Sequence, residues 1–100
     1  MKTYQGTRSI DGLRVTVDRR PLPEHYEVKR FTKWGFEWTY EGASPQQLAL
    51  AILVHHLGNP ARAVALSKPF MKGVIANLDN DWRLDSSDID AFLRDGDQGP

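Results

Sequence analysis

Six residues concentrate the chemistry this chain could carry out on its surface: Arg19, Arg20, Lys29, Arg30, Lys33 and Trp34, interleaved with Tyr26 and Phe31. Cationic groups beside aromatic faces hold phosphate backbones and stacked bases, and the same residue types supply the arginine and tryptophan anchors of protein interfaces. The sequence leaves both uses open. It also leaves open a plainer arrangement, with Tyr26 and Phe31 in the core and the cations solvated. The formal net charge of zero lacks the basic excess of a dedicated nucleic-acid binder, which favours a protein or ribonucleoprotein partner over bare nucleic acid.

The other candidates carry less chemistry. His55 and His56 are adjacent, so on a helix they point about 100° apart and do not readily ligate one metal together. His25 lies in another segment. Two histidines near a helix C-terminus are favoured by its partial negative charge. No serine or cysteine is spaced to pair with them, so a small hydrolase built on His55 or His56 with an acidic partner would need tertiary proximity. Glu37 and Glu41, read on one strand, stand roughly 13 Å apart, beyond either glycosidase geometry. They read as solvent-facing charges guarding an edge strand. Asp79-Asn80-Asp81 opens like a calcium loop but lacks the required glycine and distal glutamate, so it reads as a turn. No catalytic residue, metal or cofactor is expected.

Composition narrows the class. A chain of 100 residues, 40% hydrophobic and without cysteine, suits one domain held by its core alone, with no disulfide framework or thiolate metal site. No apolar run approaches the roughly 20 residues needed to cross a bilayer. Residues 1–6 lack the apolar core of a signal peptide, and a cytoplasmic protein without a membrane partner is expected. Charge is polarised along the chain. Residues 1–34 carry eight basic groups against four acids, whereas residues 75–100 carry seven aspartates against two arginines. Such polarity suits docking to a charged partner, or simply decorates two solvated faces.

These side chains must be positioned by a small set of elements. Residues 3–8, with Leu13, Val15 and Val17 alternating after the Asp11-Gly12 turn signal, predict an amino-terminal hairpin. Pro21 and Pro23 mark a loop or sheet edge, residues 26–31 a third strand, and residues 36–40 a fourth, with Phe36, Trp38 and Tyr40 alternating against Glu37 and Thr39. The seven apolar residues from Leu48 to Val54 predict a buried helix over 45–57. Ser44, Pro45 and Gln47 supply its N-cap, first-turn proline and capping box. Gly58 stops it, and Asn59-Pro60 starts another helix. Pro69 predicts a break near Ser67-Lys68. Phe70, Val74, Ile75 and Leu78 continue an apolar face, Trp82-Arg83-Leu84 makes a short extended connection, and a last helix runs from Asp85, with Asp88 at its third position, to Gly96. Its apolar stripe is Ile89, Phe92 and Leu93.

The fold class is therefore α+β: a three- or four-stranded, mostly antiparallel amino-terminal sheet packed against a buried central helix, with further helices at the carboxyl end. One domain over residues 1–96 and a mobile tail over 97–100 complete the expected organisation.

Tyr4-Gln5-Gly6-Thr7-Arg8, Val15-Thr16-Val17-Asp18 with Pro21-Leu22, Gly35-Phe36-Glu37-Trp38, and the helix opening Pro45-Gln46-Gln47-Leu48-Ala49-Leu50 together resemble the domain-of-unknown-function family 6166. The resemblance continues through Trp82-Arg83-Leu84 and Ile89. It implies an α+β domain of the stand-alone kind found in bacteria and their mobile elements, and it carries over no catalytic residue. Lys33-Trp34 stands before Gly35 where a smaller turn residue is expected, which marks Trp34 as a feature of this chain. The expected function is non-enzymatic: stoichiometric binding of a macromolecule. Its most specific form is a phage or mobile-element inhibitor of a bacterial defence assembly such as a CRISPR surveillance complex. A nucleic-acid-binding regulator is the alternative, and the histidine hydrolase comes after it.

Overall fold

Strand β1 (Thr3–Ser9) and strand β2 (Gly12–Val17) form the amino-terminal hairpin, with Tyr4 opposite Val17 and Gly6 opposite Val15. Gly12 turns the chain at φ 115°, in the region closed to most side chains. A two-residue turn at Asp18-Arg19, both with positive φ, brings back the short strand β3 (Arg20–Pro21). The structure, a computed structural model, describes residues 2–97. Within it the helices are α1 (Ala43–Leu57), α2 (Pro60–Gly73) and α3 (Ser86–Asp97), with a 3-10 turn at Ile75–Asn77 after α2.

The fourth strand comes from the far end of the chain. β4 (Trp82–Asp85) pairs antiparallel with β1, giving the order β3-β2-β1-β4. The extended connection expected at Trp82-Arg83-Leu84 is therefore a sheet edge, and neither residues 26–31 nor residues 36–40 form strands. The reason is competition for an edge. β4 occupies the free side of β1, where Gly6 faces Trp82 so closely that a Cβ on Gly6 would lie 2.2 Å from the indole Nε1. Thr39, at φ 81°, also cannot continue an extended ladder.

One face of the sheet is dry. Tyr4, Val15, Val17 and Trp82 point inward to a core completed by Leu48, Leu50, Ile52 and Leu53 of α1, Ala63, Phe70 and Met71 of α2, and Ile75. Residues 48–53 of α1 are buried without interruption, because α1 is covered by the sheet on one side and by α2 on another. The opposite sheet face carries Gln5, Thr7, Arg14, Thr16 and Arg83.

The helix termini divide between agreement and correction. Gly58 closes α1 in the left-handed conformation with its amide on Val54 O, and the Asn59 side chain accepts from the Arg62 amide to open α2. Asp85 and Asp88 make a reciprocal box, each side chain accepting from the other's amide. The expected capping box at Ser44 is not made: α1 starts at Ala43 after Gly42, without a side-chain cap. The Ser44 hydroxyl instead meets Thr32 Oγ1 at 3.0 Å, and Gln47 reaches into the preceding loop. Nor does Pro69 break α2. Pro69 and Ala65, whose carbonyl has no amide at position 69 to accept from, both lie on the exposed face, while Ala63, Ser67 and Phe70 hold the other face against the core. α3 runs to Asp97, one residue beyond the expected stop. The rest of the expected mobile tail, residues 98–100, lies outside the described residues.

Phe92 of α3 packs edge-on against Phe70 of α2, with ring centroids 5.2 Å apart. No helix among the described residues is long and apolar enough to cross a membrane. Because Trp82 is wedged between Gly6 and Trp38, Gly6→Ala should lower stability by about 1–3 kcal/mol through overpacking. A thermal melt should show Tm falling on the order of 10 °C.

Candidate functional site

Residues 22–42 connect β3 to α1 without regular strand or helix. A structureless connection longer than about 12–15 residues is uncommon in a small domain and is usually functional. The first of the side chains that hold this one in shape is a buried amide. Gln47, fully buried in the first turns of α1, accepts from the Phe31 amide at 2.7 Å through Oε1 and donates through Nε2 to Glu24 O at 2.8 Å and Lys29 O at 3.0 Å. Three backbone groups that would otherwise be bare are thus satisfied from the helix.

Further pins continue along the loop. Thr32 Oγ1 accepts from the Trp34 amide, and the Tyr26 hydroxyl accepts from the Gly35 amide at 3.0 Å. Glu37 is no free edge charge: its carboxylate takes both terminal nitrogens of Arg8, at 2.8 and 3.3 Å. These bonds hold the guanidinium even more firmly protonated than usual. Arg8 lies over the Trp38 ring, 4.9 Å from its centroid. Trp38 itself is fully buried, stands edge-on to Trp82 and donates Nε1 to Asn80 O at 3.0 Å. The aromatic segment is anchored as the sequence suggests, but by single side chains rather than by a ladder.

What the loop displays outward is a row of cation–aromatic pairs. The Arg30 guanidinium sits 4.5 Å from the centroid of Tyr26, Lys29 Nζ 5.5 Å from that of Phe31, and Lys33 Nζ 5.2 Å from that of Trp34. Trp34 is 79% exposed. Four of the six candidate residues, Lys29, Arg30, Lys33 and Trp34, therefore belong to one loop. Arg19 and Arg20 stand apart at the β2–β3 turn. Arg19 borders a hollow on the outer sheet face with Gln5 and Arg83, and Arg20 borders another beside Pro23 and His55.

The sequence alone did not point to a groove of about 490 Å³ between β2 and the loop. Leu13, Arg14, Val15, Pro21, Leu22, Glu24, Trp34, Gly35 and Phe36 line it. Its one advance signal was Trp34, a bulky aromatic where a smaller turn residue is expected. Gln47 had a clearer signal, as an amide directly preceding an apolar run, although the capping-box pattern assigns it to the helix end instead.

Each histidine of α1 has its own partner. His55 Nδ1 meets the Tyr4 hydroxyl at 3.0 Å, and His56 Nε2 meets Asp90 Oδ1 at 2.7 Å. Burial, followed by the nearby Lys2 charge, lowers the His55 pKa below its ordinary value. Burial, followed by the Asp18 charge, pushes Tyr4 up to about 12. The acidic partner that a histidine hydrolase would need exists for His56, but no serine or threonine hydroxyl is bonded to either ring among the described residues. No three acidic or histidine side chains among them gather as a metal-holding group.

The model of DUF6166, a family of unknown function, matches residues 4–95, and the chain belongs to this family. No curated protein and no solved structure matches it.

Two predictions follow from this geometry. Gln47→Leu should cost on the order of 3 kcal/mol, because it strands the Phe31 amide and two carbonyls, and urea unfolding measures the loss. For Tyr4, the folded chain keeps its proton to about pH 12 whereas the unfolded chain releases it near the ordinary tyrosine value of 10.0. Stability should therefore fall as pH climbs between those values, and Tyr4→Phe should remove that part of the alkaline slope in urea midpoints.

Proposed function

We propose that this DUF6166 member works by stoichiometric binding of another macromolecule, a protein or ribonucleoprotein, through the loop that carries Lys29, Arg30, Lys33 and Trp34. The observation that carries this reading is the exposed Trp34 indole beside Lys33, on a loop fixed from within by Gln47. A bulky aromatic held in place before a partner arrives loses little entropy on binding, and tryptophan and arginine dominate the energetics of protein interfaces.

The formal net charge of zero favours protein over bare nucleic acid, since a dedicated nucleic-acid binder carries a pronounced basic excess. Arg30 lies over one face of the Tyr26 ring and Lys29 over one face of the Phe31 ring. The most specific target of this reading is a bacterial defence ribonucleoprotein such as a CRISPR surveillance complex, occupied in the cytoplasm by a mobile-element protein.

A pull-down from bacterial lysate, with and without nuclease, tests the reading. The wild-type chain should retain a protein partner after nuclease treatment. The triple variant Arg30→Glu, Lys33→Glu, Trp34→Ala should lose it with little change in Tm, because these side chains are exposed. Capture abolished by nuclease would assign the surface to nucleic acid instead, and capture unchanged in the variant would place the interface elsewhere.

A further inference from the structure

We propose that the groove between β2 and residues 34–36 receives an extended acidic polypeptide segment as an added β-strand. The proposal deepens the binding reading above and rests on it for the role of Trp34. Its first ground is the main chain. Leu22 N donates to Val15 O at 3.1 Å, so the Val15 carbonyl faces away from β1. Ladder alternation turns the amide and carbonyl of Leu13, two residues earlier, to the same side.

β3 does not reach that far. It pairs only Pro21 with Thr16 and Arg20 with Val17, and after Leu22 the chain enters Pro23, which has no N–H to offer a ladder. No hydrogen bond to the Leu13 main chain on this side occurs among the described residues. The main chain of Leu13 is therefore an unpaired piece of strand edge that borders the groove. Main-chain donors and acceptors of this kind are what an added strand pairs with.

The walls define the occupant's side chains. Successive residues of a strand point to opposite faces. Toward the inner side a guest meets Leu13, Phe36 and the exposed Trp34, which suit apolar side chains. Toward the outer face it meets Arg14, exposed and without an ion-pair partner among the described residues. Lys33 beside Trp34 adds positive charge at the rim, and Glu24 is the single acid of the lining. The complementary guest alternates apolar and acidic residues.

Amide NMR of the full chain provides the test, using a peptide of about eight residues, the length of an ordinary strand, that alternates valine and glutamate. The amides of Leu13 and Val15 and the Trp34 indole should shift saturably, and exchange at Leu13 should slow about tenfold as its N–H is paired. A copy N-methylated on alternate residues should fail, and Arg14→Glu should switch preference to the valine–lysine peptide. Trp34→Ala should weaken binding while leaving the fold intact. The proposal is overturned by equal binding of the N-methylated copy, by equal binding of the lysine peptide to the wild-type chain, or by no saturable shift at about millimolar peptide. Concentration-dependent shifts at Leu13 without peptide would also overturn it, by assigning the edge to a second copy. Trp34-dependent capture from lysate without any peptide shift would sink strand addition alone and leave the binding reading standing.

Discussion

The loop between sheet and helices has no ladder and no helix of its own, so its shape depends on side-chain hydrogen bonds, above all those of Gln47. One amide on α1 collects the Phe31 amide and the carbonyls of Glu24 and Lys29, tying residues far apart in the loop to one point of the core. A buried amide with all these bonds made gives direction as well as stability, since each bond is satisfied in one arrangement only. An apolar residue of similar size would fill the space but leave three polar groups unpaired, at about 1–3 kcal/mol each. The outward placement of Arg30, Lys33 and Trp34 follows from that inward anchoring.

A second constraint closes the sheet. Gly6 lacks a Cβ, which lets Trp82 lie across β1 and meet Trp38 edge-on, with ring centroids 5.8 Å apart. β4 thereby takes one edge of β1 and displaces the aromatic segment, which turns to Arg8, Asn80 and the Ile75 carbonyl for its partners. The strand that shuts one side of the sheet comes from the carboxyl end, whereas β3 leaves the other side incompletely covered. β4 is therefore one edge strand of the sheet, and on the other side, where the loop stands, β3 covers β2 only in part.

Much of this architecture was legible in the residues. The hairpin follows from the Leu13, Val15, Val17 alternation after the Asp11-Gly12 turn, and the uninterrupted run from Leu48 to Leu53 marks the central helix; caps at Gly58, Asn59 and Asp85 each have local chemistry that decides them. The misreadings share a cause: local pattern was overruled by tertiary partners. Phe36, Trp38 and Tyr40 alternate like a strand, yet strand formation needs a free edge, and β4 had taken it. Ser44 and Gln47 match a capping box, yet Thr32 and the loop backbone compete for the same side chains. Pro69 is a separate case: it removes one helical bond, but it and Ala65 both lie on the exposed side of α2. Of the candidate site, the cation–aromatic composition was readable, while the separation of Arg19 and Arg20 from the loop, and the groove beside Leu13, depend on the path of the chain after Pro23.

Binding through such a surface depends on its being set before the partner arrives, since a floppy loop would lose on ordering much of what its anchors contribute. Native-state hydrogen exchange at the Phe31 amide tests this most directly. An amide held by Gln47 in the core should exchange with an opening free energy close to that of Leu50 and Ile52 in α1. Exchange at Phe31 as fast as in an unstructured peptide, with those helix amides still protected, would contradict the account.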